Sequence, residues 1–233
     1  MYLSKRVFLL IFIGILFSCS NDEGPDFEVV PPRGLAEVEA EDAAELIEYL
    51  QTHFYNYEDF DNPPAGFDFK IVLDTIAGDN ADKTPLIDQV SSDTRTVQSG
   101  EFFLDNDETV DHTFYYLDAR SGGGENPSVA DSVFVRYRGS LLTGESFDAS
   151  ETFGIWFDLA QLQGPQQGAR GFAEATPFFK SGTNFIENGD GTVTVEGYGV
   201  GLMFMPSGLG FFNVPQGINI NPTPYPSTVT VPS

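Results

Sequence analysis

The apolar positions of this 233-residue chain change period several times, and each change marks an element. From Glu41, "EDAAELIEYLQTHFYNY" places apolar residues at Leu46, Ile47, Leu50 and Phe54. These are helical spacings, and acids crowd the first turn, where the helix dipole favours them. "FDFKIVLDT" alternates Phe67, Phe69, Ile71 and Leu73, the period of a strand. Residues 78–110 are mixed and polar and predict loops. "HTFYYLDARSGGGE" predicts a second strand running into a turn whose glycines supply positive φ at low cost. From Asp131 the pattern shortens: "DSVFVRYRGSLL" predicts a strand, "TGE" its turn, "SFDAS" the return and "GIWFDL" a further strand. "GARGFAEATPFFKSG" carries helical spacing through Phe172, Ala175 and Phe179, with Pro177 kinking or ending its last turn. "TVTVEGYGVGLMFMPSGLG" predicts strand, turn and strand, and "YPSTVTV" a last strand. No internal repeat is visible.

The first residues change the picture from a cytosolic to an exported protein. Residues 1–18, "MYLSKRVFLLIFIGILFS", have a short basic start at Lys5 and Arg6 and an apolar run from Val7 to Phe17. This is the layout of a cleaved signal peptide, with a run too short for a comfortable membrane span. Leu16-Phe17-Ser18-Cys19 resembles a bacterial lipoprotein box, which implies lipidation of Cys19 and a lipid anchor in the outer membrane, facing the periplasm or the cell surface. Ser20 argues against retention in an inner membrane, and the acidic "SNDEG" resembles a surface-export tag. The alternative is a plainly secreted protein with one stray cysteine. A single cysteine allows no internal disulfide, so the exported body must fold on its hydrophobic core.

Charge then narrows the partners. The chain has 35 acids against 11 bases, a net charge of −24, and loss of Lys5 and Arg6 with the signal would take it to −26. Such a surface repels phosphate backbones, so nucleic acid is a poor partner. The abundant apolar residues indicate a globular body rather than a disordered one. Residues 19–40 read as a lipid-anchored acidic tether and 41–129 as a helix-and-strand extension ahead of the last part of the chain.

That last part carries the most specific words. "VRYRGSLLTGESFDAS", "RGFAEATPFFKSG" and "MPSGLGFF" occur in this order. Together they resemble the V-x-Y-x-G-x-L-x-x-G-x-x-F-D-x-S pattern and its two successors in the FKBP-type peptidyl-prolyl cis–trans isomerases. The resemblance covers residues 130–233. It implies an α+β fold, an FKBP-like curved antiparallel sheet wrapped around a short helix, here preceded by the helix-plus-strand extension. It also implies a shallow aromatic pocket for a substrate proline, with Tyr137, Phe147 and Asp148 on one side and Phe172 as its floor. Ile155 falls at a wall position followed by Trp156, and Ala169 where a backbone N–H bonds the ligand. Phe211 falls where a tyrosine hydroxyl is usual, and Val231 at a further wall position. The implied activity needs no cofactor and no metal, and its partners are proline-containing exported polypeptides. Phe211, Ile155, Val231 and Pro177 depart from the family pattern, and some eighteen residues after Gly182 are additional.

Other chemistries find little support. "GGGE" is followed by no helix with a Lys or Ser/Thr, so it does not read as a phosphate loop. "NGDGT" is a hairpin turn, lacking the spaced ligands and final glutamate of a calcium loop. His53 and His112 have no companion at metal-ligand spacing. Ser146 and Ser150 have no histidine in triad order. Tyr137 and Phe147 taken alone would be cross-strand packing. Three functions therefore stand: a prolyl isomerase, a catalytically weak FKBP-like chaperone or binding module, and a structural subunit of an envelope complex that binds through residues 20–129.

Overall fold

The computed structural model describes residues 33–163 and 170–212, together with the backbone of 227–232. The signal segment, Cys19, most of the tether and Ala169 lie outside the described residues, as does the side chain of Val231.

Helix α1 runs Leu35–Thr52, six residues earlier than its apolar spacing predicts. The reason is Asp42, which sits in the buried stripe with Leu35, Val38, Leu46 and Leu50 and interrupts the apolar period there. The stretch between α1 and the next long strand holds β1 (His53–Tyr55), α2 (Tyr57–Asp61) and β2 (Leu73–Thr75), with β1 and β2 paired antiparallel. The strand expected over "FDFKIVLDT" is thus confined to its last residues. Phe67 and Phe69 instead pack with Phe60, at ring-centroid distances of 5.2 and 6.1 Å. Phe69 takes a left-handed φ of 58°, which breaks the alternation a strand needs.

The polar region expected to be loops contains β3 (Ser91–Gln98), paired along its whole length with β4 (Thr109–Arg120). As the outermost strand of the sheet, β3 buries only Val97, so its sequence shows no apolar face to read. A hairpin follows, β5 (Ser132–Leu141) and β6 (Ser146–Asp158), turning at Gly144 with φ 86°. Then come the short helices α3 (Leu159–Leu162) and α4 (Arg170–Ala175), the small hairpin β7 (Asn184–Glu187) and β8 (Val193–Glu196), β9 (Val200–Met205) and β10 (Ser227–Pro232). The main sheet is antiparallel, in the order β3-β4-β9-β10-β5-β6. An antiparallel sheet packed on a short helix and preceded by a helix and small strands is the α+β architecture that the resemblance implied. Residues 91–120, assigned from sequence to the region ahead of the body, contribute two of this sheet's six strands.

Strand β9, "VGLMFM", is buried at all six positions. Its continuous apolar run follows from cover on both faces. Met203 and Met205 pack with Phe172, Ala173 and Ala175 of α4, whereas Leu202 and Phe204 pack with Leu46 and Leu50 of α1. Helix α4 ends at Ala175 and tightens into a 3-10 turn over Thr176–Phe178, where Pro177 cannot continue the ladder. The 122–124 glycines have a different use from the one expected. None has positive φ; a Cβ on Gly122 would lie 2.2 Å from the Lys180 carbonyl oxygen, so glycine allows two backbones to meet. Gly191, in "NGDGT", does take φ 84° and turns the β7–β8 hairpin as expected. Among the described residues no helix is long and apolar enough to cross a membrane.

Candidate functional site

The hairpin β5–β6 builds most of the site through two irregularities in its register. Gly139 pairs with Asp148 and Ser140 with Ser146, which leaves Phe147 as the extra residue of a bulge. The bulge lays the Phe147 ring over Gly139, where a Cβ would come within 2.6 Å of two ring carbons. Tyr137 pairs with Ser150, so Asp148 is its diagonal neighbour on the same face. The Tyr137 hydroxyl donates to Asp148 Oδ2 at 2.5 Å. Partial burial, and then the bond to Asp148 and its charge, push the Tyr137 phenol above its ordinary range, so it stays a neutral donor.

The second irregularity lies one turn further on. Val135 pairs with Ile155 and Tyr137 with Ser150, so residues 151–154 of β6 swing out opposite Arg136 alone. Ser150 Oγ closes this excursion by donating to the Phe153 carbonyl at 2.6 Å, and the Phe153 side chain is left 72% exposed. Beyond it, Phe157 returns to the inner face. Its ring stands edge-on to Tyr137 at 5.4 Å and to Phe172 at 5.3 Å. Such tilted aromatic pairs add about 0.5–1.5 kcal/mol each beyond their buried area.

Phe172 is buried because α4 lies hard against β9 and the following turn. Gly171 permits that approach: a Cβ there would be 2.7 Å from Met205 Sδ and 2.8 Å from the Leu209 carbonyl. An ion-pair network sets the helix's orientation. Arg170 bonds Glu101 at 2.8 Å and Glu174 at 2.6 Å, and Arg95 pairs with both Asp93 and Glu174. The fourth part of the site is the turn after β9, which carries Phe211. Its ring meets Phe147 edge-to-face at 5.6 Å.

The structure therefore brings together Tyr137, Asp148, Phe157 and Phe172 in one contact chain, with Phe147 and Phe211 as a second pair joined to it through the adjacent Asp148. Phe157 was not among the residues singled out from sequence. The signal for it was present, because Ile155, Phe157 and Leu159 alternate in "GIWFDL" and Phe157 pairs with the inward Val133. Ile155 is half-buried opposite Val135. Trp156, which follows it and was expected to bind substrate, is not in this cluster. Having the opposite parity to Phe157, it packs on Phe134 at 5.4 Å and Phe185 at 5.6 Å, and is 60% exposed. Those three rings line a separate cavity of about 560 Å³ together with Val133, Phe179 and Lys180. Val231 is in β10 opposite Gly201, and this register is all that is described of it.

The cluster offers an apolar aromatic surface with one fixed hydroxyl–carboxylate dipole at its edge. Among the described residues no three His, Cys, Asp or Glu side chains gather as a metal site. The hydroxyls of Ser146 and Ser150 are bonded to the backbone carbonyls of Gly139 and Phe153.

No family model matches the chain, and no curated protein matches it. Solved structures similar to it include a peptidyl-prolyl cis–trans isomerase from Pseudomonas syringae pv. tomato, with 20% identity over 51% of this chain and 71% of that one, at a TM-score of 0.37. FkpA from Escherichia coli is 18% identical over 84% of this chain, which spans 59% of FkpA, at a TM-score of 0.39. The three FKBP domains of wheat FKBP73 are 20% identical over 51% of this chain and 42% of that one, at a TM-score of 0.38.

Proposed function

We propose that this chain is a peptidyl-prolyl cis–trans isomerase acting on exported polypeptides, held at the outer membrane by a lipid on Cys19. The observation that carries the reading is the convergence of Tyr137, Asp148 and Phe172 through Phe157. Residues picked out by two separate motifs, Tyr137 and Asp148 by one and Phe172 by another, meet on one surface, with the tyrosine hydroxyl tied to the carboxylate at 2.5 Å.

Rotation about an X-Pro bond passes a twisted state about 18–20 kcal/mol above the planar ones, because amide resonance is lost there. Uncatalysed, it takes roughly tens to hundreds of seconds, long enough to limit folding. An aromatic surface accelerates it by binding the twisted amide better than either planar form. The proline ring would rest on Phe172 and Phe157, between Tyr137 and Phe147. Withdrawing the carbonyl oxygen of the X-Pro amide, which belongs to the residue before proline, from water weakens the hydrogen bonds that favour the charge-separated planar amide. Asp148 acts here by orienting the Tyr137 hydroxyl and fixing a dipole at the rim; it takes no proton.

A second reading, a binding module with weak turnover, is favoured by Phe211. A phenylalanine in edge-to-face contact with Phe147 has no hydroxyl to bond the substrate carbonyl. One experiment separates the two. Exchange between the cis and trans forms of a short X-Pro peptide is followed by NMR with the wild-type chain, Asp148→Ala and Phe147→Ala, each checked for folding. Acceleration that falls at least tenfold in both variants supports the isomerase. Binding shifts without acceleration support the module, and neither effect sinks both. The anchor has its own test, the mass of the N-terminal peptide of detergent-extracted protein. A diacylglyceryl Cys19 is expected, and an unmodified cysteine or an uncleaved leader would refute it.

A further inference from the structure

The turn that carries Phe211 is held from outside the aromatic cluster. Ser207, its first residue, is 2% exposed, and Asp42 of α1 is 3% exposed. Asp42 Oδ2 accepts from the Ser207 backbone N–H at 2.7 Å and from the Ser207 hydroxyl at 2.5 Å, across 165 residues of chain. The carbonyl of the same serine accepts from Gly210 N–H at 2.9 Å and Phe212 N–H at 3.0 Å. Those two bonds bracket Phe211 and fix its backbone. Ser207 is thus the link between a carboxylate on the N-terminal helix and a wall of the site.

We propose that Asp42 is a positioning residue of the candidate site, holding the Ser207–Phe212 turn and through it Phe211, so that protonation of this carboxylate regulates how firmly the wall is set. The link to catalysis rests on the isomerase reading, whereas the link between carboxylate and turn does not.

The direction of regulation follows from what surrounds the carboxylate. Burial raises Asp42 to about 6 from an ordinary 3.8; the two Ser207 bonds oppose that rise, and Glu45 and Glu39 on the same helix add to it. Strand β4 brings Tyr115 beside Glu39, and His112, whose ring lies against Gly208 of the turn. The 86–88 turn and β1, which also pack on α1, bring Asp88 and His53. Neither is among the main causes of the shift of Asp42, and His53 stacks on Tyr49 at 3.8 Å. A buried carboxylate whose value is raised favours the docked state when neutral. Docking of the turn is therefore firmest at low pH and loosens as pH rises from about 4 through about 6.

The test is residue-resolved NMR on the full chain between pH 4.5 and 8. In the wild type, the amide resonances of Ser207, Gly210, Phe211 and Phe212 should titrate together with a midpoint near 6. After correction for intrinsic exchange, Gly210 and Phe212 should be about tenfold better protected at pH 5 than at pH 8. In Asp42→Asn both dependences should vanish, leaving the turn docked at pH 8 as the wild type is at pH 5. The proposal is overturned if Ser207 titrates without Phe211 and Phe212, or if Asp42→Asn keeps the wild-type titration, which would assign the effect to His112. The wild-type measurement needs no variant to fold. Isomerisation is measured in parallel. A turn that titrates in a chain with no isomerase activity refutes the catalytic reading and leaves the carboxylate's hold on the turn supported. An active chain whose turn does not titrate does the reverse.

Discussion

Gly139 lies directly beneath the ring of Phe147, with no room between them for a side chain. A Cβ on Gly139 would sit 2.6 Å from both Cε2 and Cζ of that ring. The glycine and the phenylalanine belong to the same motif because the β-bulge that frees Phe147 also folds it onto its partner strand. Gly139→Ala must move the ring off the strand. We expect a loss of at most about 1 kcal/mol in stability, the low end for overpacking because the clashing atoms are the far end of a half-exposed ring, measured by urea unfolding. We also expect at least a tenfold loss of isomerisation at temperatures where the variant remains folded. Unchanged activity in a folded Gly139→Ala would mean that the position of Phe147 does not matter.

The bond from Tyr137 to Asp148 makes a prediction at high pH. The fold favours the neutral phenol, so its contribution to stability is intact below pH 10 and lost as pH rises beyond it. Tyr137 should be among the last tyrosines to ionise in an absorbance titration. Asp148→Asn removes the charge but keeps an oxygen that can accept the bond, so it should lower the Tyr137 pKa only in part, burial being the largest cause of the rise. Tyr137→Phe should cost about 1 kcal/mol, since one end of the bond is exposed to water. A double-mutant cycle giving no coupling would show that the two groups act independently.

The hairpin residues of this site were legible in sequence because they are contiguous: Tyr137, Gly139, Phe147 and Asp148 occur in one motif, and one turn brings them together. Parity beyond residue 150 was not. The excursion of residues 151–154 adds four residues opposite one, so the inward face cannot be counted from Asp148, and the sequence did not show that Phe157 rather than Trp156 turns inward. Strand β3 was hidden by its polar edge position. Asp42 was hidden for a deeper reason. A carboxylate in an apolar stripe ordinarily marks the end of a buried face, and only a partner 165 residues away explains why this one is buried.

His112 predicts an acid limit to stability. It is 1% exposed, its Nδ1 lies 3.1 Å from the Val110 carbonyl, and its Nε2 faces Gly208 with no hydrogen-bond partner among the described residues. Burial holds its pKa below the usual 6.5, helped by Arg170, so the fold requires the neutral ring. Its contribution to stability is present above pH 6.5 and is lost as pH falls below that through the lowered value, opposite in sign to Asp42. The His112 Cε1 proton should show no transition near 6.5 in an NMR titration, while acid unfolding should report the uptake of its proton. His112→Phe should flatten the acid limb of the stability curve. An ordinary His112 titration in the folded protein would refute this account.

The last prediction concerns dividing the chain at residue 130, where the motif resemblance begins. Strand β9 is buried on both faces, by α4 on one side and by α1 on the other, and its neighbour in the sheet is β4. Cutting at 130 removes α1, β3 and β4 together. Leu202 and Phe204 would then be bare, and one edge of β9 would have no partner. Residues 130–233 alone should therefore be insoluble or lack cooperative unfolding, whereas a fragment beginning at residue 33 should fold and retain the activity of the whole chain. Circular dichroism and thermal melts of the two fragments decide the matter. A cooperatively folding 130–233 fragment would mean that the helix and the two strands ahead of it are an accessory rather than half of the sheet's cover.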